Sequence, residues 1–110
     1  MPDSLGRVRY QLEELQMIIV SGRIYVAPGK RAEFIERSLA AVRAARKTDG
    51  CADFVVAADP VENDRVNVYE EWQNEKALLT FRGDGPGDDL SNLVRRADVK
   101  RYAVSRTDPA

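Results

Sequence analysis

The period of the apolar residues changes along this chain, and the order of those changes restricts the fold more than any other feature. From Ile18 to Val26 the run IIVSGRIYV is rich in β-branched residues, and alternation puts Ile18, Val20, Gly22 and Ile24 on one side of a strand. Pro28 and Gly29 end it. Between Lys30 and Lys47 apolar residues recur at Phe34, Ile35, Leu39, Val42 and Ala45, the stripe of an amphipathic helix, with basic residues near its end and Gly50 available for a left-handed stop. Ala52 to Ala58 and Arg65 to Gln73 then read as the arms of a hairpin around the turn cluster Asp59, Pro60, Asn63 and Asp64. Its second arm alternates Val66, Val68, Glu70 and Trp72 with Asn67, Tyr69 and Glu71. Asn74 is placed to cap a short helix running through Arg82, because its side-chain oxygen can accept from the free amides of a first turn. Gly83, Asp84, Gly85, Pro86 and Gly87 break the chain. A second short helix is expected from Asp89 to Ala97, with Leu90, Leu93 and Val94 facing inward, and a last strand from Val99 to Ser105.

Strand, helix, strand, strand, helix, strand is the order of the ferredoxin-like α+β class, βαββαβ, a four-stranded antiparallel sheet with its helices on one face. The other face carries Tyr25, Asn67 and Tyr69 beside Ser21 and Arg23, a semi-polar surface with rings too large to leave wet without consequence. A second copy of the chain, using the same patch twice, could cover it, so Tyr25, Asn67 and Tyr69 are assigned to a homodimer seam.

Totals narrow the function. With 110 residues there is room for one domain and one core. Seventeen basic residues against eighteen acidic ones leave a net charge of −1, which gives no large electrostatic footprint for nucleic acid or an anionic membrane. Cys51 is the only cysteine and histidine is absent, so there is no internal disulfide and no Cys/His set for a transition metal or haem. The apolar stretch Met17 to Val20 is far short of a membrane span, and the N-terminus lacks a charged region followed by an apolar signal core; a cytoplasmic protein is expected. Residues 1–16 carry Leu5, Val8, Leu12 and Leu15 at helical spacing, and read either as a short helix needing something to dock against or as a frayed tail. The domain proper is expected at 17–106, and 107–110 as a disordered end.

The stretch IIVSGRIYVAPGKRAEFIE, the turn at Asp49 to Cys51 and the YEEW of Tyr69 to Trp72 resemble the antibiotic biosynthesis monooxygenase family, over about residues 17 to 106. The resemblance implies a dimeric α+β barrel that oxygenates phenolic or quinol-type aromatics with O2 as co-substrate and no metal, flavin or haem. The chain departs from the family pattern in two places. Phe81, Arg82, Gly83 and Asp84 stand where many members carry histidines, so any histidine-dependent step is excluded. Val68 stands where some polyketide-oxidising relatives carry an asparagine four residues before the strand tryptophan, and Asn67 is one step out of phase, facing away.

A cofactor-free oxygenase needs a site dry enough to hold a radical pair, a donor or cation near the phenolate oxygen, and a base. Trp72 can stack on a flat ring while its indole N–H donates, or it can be an ordinary core residue. Glu70 shares its strand face, where burial would raise its pKa and make it a base; a salt bridge to a helix arginine is the plain alternative. Arg82 can meet an anionic substrate oxygen or simply end a solvated helix. Val68, Phe34, Phe81 and Leu78 are the expected lining of a substrate pocket. Three functions follow: a cofactor-independent monooxygenase of quinols; a non-catalytic dimeric module of the same fold that binds a small ligand or steadies a partner, since a fold does not fix function; or an isomerase or decomposition enzyme of related barrel architecture.

Overall fold

A computed structural model describes residues 16–84 and 89–110. Strand β1 spans Ile18–Val26, helix α1 Arg31–Arg46, strand β2 Cys51–Ala58, strand β3 Arg65–Trp72, helix α2 Glu75–Asp84 and strand β4 Val94–Ala103. The four strands form one antiparallel sheet in the order β2-β3-β1-β4. This is the ferredoxin-like arrangement, with β1 and β3 central and both helices on one face.

Local chemistry sets the boundaries. Gly29 and Gly50 take positive φ values of 76° and 88°, the turn conformations in which a side chain is disfavoured. At the start of α2 the backbone N–H of Ala77 donates to Asn74 Oδ1 at 2.9 Å, the expected cap. Arg31 ties α1 to the β2–β3 hairpin, its Nη1 donating to the carbonyl oxygens of Glu62 and Asp59 at 2.7 and 3.1 Å. The hairpin turn is fastened from within, the Val61 and Glu62 N–H groups both donating to Asp59 Oδ2.

Strand pairing stacks the inward side chains in rows. Cys51, Trp72, Ile18 and Ala103 form one; Phe54, Glu70, Val20 and Arg101 the next; Val56, Val68, Gly22 and Val99 a third. The core is accordingly two clusters. Ile18, Val20, Val42, Ala45, Phe54, Trp72 and Leu78 make the larger. Val26, Phe34, Val66 and Leu93 make the other, toward the hairpin turn. Val68 is buried but belongs to neither, so its row with Gly22 is the seam between them.

Three expectations change. No helix covers Asp89 to Ala97: a single 3-10 turn at Ser91–Leu93 leads into β4, which begins five residues before the expected Val99 and ends at Ala103. The cause is the far edge of β1, whose Tyr25, Ile24 and Arg23 would lack ladder partners without Arg96, Ala97 and Asp98. Leu93 sinks into the smaller cluster at 7% exposure while the Ala27 N–H donates to its carbonyl oxygen. On α1, Ser38 takes the inward position and Leu39 stays 38% exposed. Ser38 is satisfied there by donating from Oγ to the Ile35 carbonyl oxygen, so a buried hydroxyl does not signal a misplaced stripe. Finally, α2 runs two residues past Arg82. The helical spacing of Leu5 to Leu15 and the break at Gly85 to Gly87 lie outside the described residues. The last residues, Thr107 to Ala110, carry neither helix nor strand, and Arg106 pairs with Asp108 at 2.7 Å.

Candidate functional site

Alternation along β3 places Trp72, Glu70, Val68 and Val66 under the helices, all of them buried. Trp72 has no exposed surface, and its indole Nε1–H donates to Glu70 Oε1 at 2.9 Å. Residues two apart on a strand face are roughly 7 Å apart along the chain, so the carboxylate must lean along the strand to reach the indole. Phe54 and Phe81 complete a wall of rings. Phe81 lies 5.3 Å from the Trp72 ring centroid and 5.9 Å from that of Phe54, and Phe54 meets Trp72 edge-on at 6.4 Å.

Glu70 retains 9% exposure. Burial beside this wall raises its carboxyl pKa, while the indole hydrogen bond and the charge of Arg82 pull the other way. The indole occupies one carboxylate oxygen only. Oε2 has no hydrogen-bond partner among the described residues, whose sealed side-chain oxygens and nitrogens are all partnered, so Oε2 keeps an opening to solvent. Beside it on β2, burial and the Glu70 charge raise the Cys51 thiol, which donates weakly to the Asp53 carbonyl oxygen at 3.4 Å. That environment disfavours a thiolate.

The sequence-assigned residues divide accordingly. Trp72, Glu70, Phe81 and Leu78 are brought together, with Arg82 exposed on the same helix as Phe81 and within electrostatic reach of Glu70. Leu78 is fully sealed against Trp72, which makes it support for the ring and removes it as a ligand contact. Val68 lies one row from Glu70, on the seam. Phe34 is not brought to Trp72: it packs with Val26, Val66 and Leu93 in the other cluster. Two helical turns separate it from Val42, a rise of about 12 Å, and Val42 is the α1 residue that reaches the Trp72 cluster. Phe54 was missed. Its register opposite Glu70 carries the signal, but the near-continuous apolar run of β2 gives no phase to read.

Among the described residues no helix or strand covers the opposite face of the sheet. Ser21, Arg23, Val55, Asn67, Tyr69, Lys100 and Tyr102 line a shallow depression of about 470 Å³ on it. Asn67 faces this way, as its phase requires, and donates from Nδ2 to Asp59 Oδ1 at 2.8 Å. Tyr25 lies under the Arg96 guanidinium at 4.3 Å, and partial burial raises the Tyr69 phenol, with the Glu71 and Asp53 charges adding to it. No helix among the described residues is long and apolar enough to cross a membrane.

The sequence profile of the family described as antibiotic biosynthesis monooxygenase matches residues 17–85. An uncharacterised protein of Synechocystis is 30% identical over 98 residues, and the match spans 82% of this chain but 65% of that relative's length. A solved structure from Deinococcus radiodurans, named as a candidate antibiotic biosynthesis monooxygenase, superposes with a TM-score of 0.73 at 22% identity, covering 84% of this chain and 97% of the other. A Caulobacter crescentus structure of the same description gives 0.70 at 18% identity over 90% and 99%. At such identities the structural likeness establishes the shared fold.

Proposed function

The chain belongs to the antibiotic biosynthesis monooxygenase family, and from that membership we propose that it is a cofactor-independent monooxygenase of quinol or related phenolic aromatics. The observation that supports this most directly is the buried Trp72–Glu70 hydrogen bond inside a wall of aromatic rings. In the reaction the dihydroxy ring and O2 give a hydroxyquinone and water, one oxygen atom entering the ring and the other leaving reduced. In this reading Val68 and Phe81 are the apolar neighbours of the ring. Glu70 provides the acid–base group, Trp72 holds it, and Arg82 balances negative charge as it develops.

The working unit is a homodimer closed through the open sheet face. Tyr25, Asn67 and Tyr69 lie there, and a two-fold partner would set this semi-polar patch against its own copy.

Oxygen uptake with a panel of hydroquinones and anthrones, together with incorporation of one atom of labelled oxygen into the product, tests the activity. Consumption no faster than the buffer blank with every compound refutes it. Sedimentation tests the assembly, and a stable monomer at micromolar concentration refutes the dimer. The second reading, a ligand-binding module without turnover, is favoured by the complete burial of Trp72 and Leu78. It requires quinols to raise the melting temperature while dissolved oxygen stays constant.

A further inference from the structure

The electrostatics around Glu70 carry a consequence for which substrates the site accepts, and it rests on the monooxygenase reading above. On the strand of Glu70 itself the indole of Trp72 is a neutral donor. From β2 comes Cys51, whose thiol is held in its neutral form. From α2 comes Arg82, the cation whose field reaches it. From α1 Arg46 donates from Nε to the Phe54 carbonyl oxygen at 2.8 Å, and its charge is not among those acting on Glu70. In its row across the sheet, beyond Val20, Arg101 is engaged with Glu75 at 3.1 Å. Among the described residues Arg82 is therefore the one cation whose field acts on Glu70, and the two opposite charges offset one another.

We propose that Glu70, through its free Oε2, takes the proton of a substrate that enters as the neutral dihydroxy ring, and that the site selects uncharged quinols over rings carrying a carboxylate or sulfonate. In this step the substrate O–H bond breaks, an Oε2–H bond forms, and no electron changes hands. The negative charge moves from the carboxylate to the ring oxygen, so the pocket never holds two anions. The resulting quinol monoanion is the electron-rich species that reduces O2 by one electron, and Glu70 returns the same proton to the peroxide oxygen after the radicals combine. A ring that brings its own negative charge meets the carboxylate before the proton moves. Two like charges about 4 Å apart at an effective dielectric of about 20 repel by the equivalent of on the order of a thousandfold in affinity, which Arg82 reduces but does not cancel.

The experiment compares oxygen uptake and binding of a neutral naphthohydroquinone and its sulfonated analogue across pH, for the wild type, Glu70→Gln and Trp72→Phe. The wild type is expected to favour the neutral ring at least tenfold. Glu70→Gln is expected to lose roughly 10²- to 10⁴-fold in kcat/KM near neutral pH. That loss should narrow at high pH, where the quinol ionises in water and arrives without its proton. Trp72→Phe keeps an aromatic ring but removes the donor that favours the ionised acid, so the rise of rate with pH should move to higher pH. It also keeps the inference testable should Glu70→Gln not fold. Equal rates with both rings, a Glu70→Gln chain as fast as the wild type, or an unmoved pH profile in Trp72→Phe overturns the inference while leaving the monooxygenase reading intact. Absence of uptake with any ring overturns both.

Discussion

Substituting Gly22 by alanine puts a measurable load on the β1–β4 pairing. Gly22 lies in mid-strand opposite Val99, and a Cβ built on it collides with the Asp98 carbonyl oxygen and falls 2.6 Å from the Val99 Cα. Both obstacles are backbone, so no rotamer change relieves them. Strand β1 is pinned on its other side by β3, which leaves β4 to move. Restoring even the ordinary 3.4 Å contact to Val99 moves β4 by about 0.8 Å, which takes a hydrogen bond of roughly 2.9 Å past the length at which it counts as one. Losing two ladder bonds at about 1 kcal/mol each and adding about 1–3 kcal/mol of overpacking gives a loss of about 3–5 kcal/mol. In a domain of this size that lowers the melting temperature by on the order of 20 °C. Thermal and urea melts measure the loss, and amide exchange locates it, with protection falling first in Asp98 to Arg101. A Gly22→Ala chain within 1 kcal/mol of the wild type, with β4 still protected, would refute the close approach that the prediction rests on.

Asn74→Ala removes the acceptor of the Ala77 N–H and should cost about 1 kcal/mol in urea unfolding; a change below a few tenths would show that water or a neighbour replaces the cap. Asp59 is held down to about 2 from 3.8, first by the Glu62 N–H and then by the Asn67 amide, so its folded pKa lies below its unfolded one. Its contribution to stability is therefore present above about pH 4 and lost as pH falls through about 2, and the Val61 and Glu62 amide resonances should titrate with that low midpoint. A midpoint near 3.8 would show the turn bonds absent in solution. Because Phe34 and Phe81 lie in different clusters, Phe34→Leu should lower stability but leave quinol affinity and oxygen uptake unchanged, whereas Phe81→Leu should weaken both; equal effects on uptake would contradict the division of the core.

Most of the fold was legible because the period of the apolar residues and the turn chemistry agreed. Pro28-Gly29, Gly50, the cluster from Asp59 to Asp64 and Asn74 each lie where an element starts or stops. The stretch from Asp89 to Ala97 misled because Leu90, Leu93 and Val94 fit a helical face and a 3-10 turn entering a strand equally well. What decides between them is the unpaired edge of β1, a demand made by residues some seventy positions earlier in the chain. Composition gave no help there, since β4 is an edge strand whose Arg95, Arg96, Lys100 and Arg101 are all exposed, the charged sequence expected where further strands must be kept from pairing.

The candidate site was legible in one dimension only. Period-two alternation tells which side of the sheet a residue faces, and on that ground Trp72, Glu70 and Val68 were separated from Asn67 and Tyr69. It does not tell how far along the sheet a helix residue lands, so Phe34 and Phe81 looked equivalent although α1 delivers one to the hairpin end and α2 delivers the other to Trp72. Nor does it fix a rotamer. Glu70 and Trp72 share a face at a spacing too long for contact between side chains held upright, and the 2.9 Å bond between them exists because the carboxylate leans toward the indole. That single torsional choice commits one carboxylate oxygen to the indole and leaves the other without a hydrogen-bond partner among the described residues.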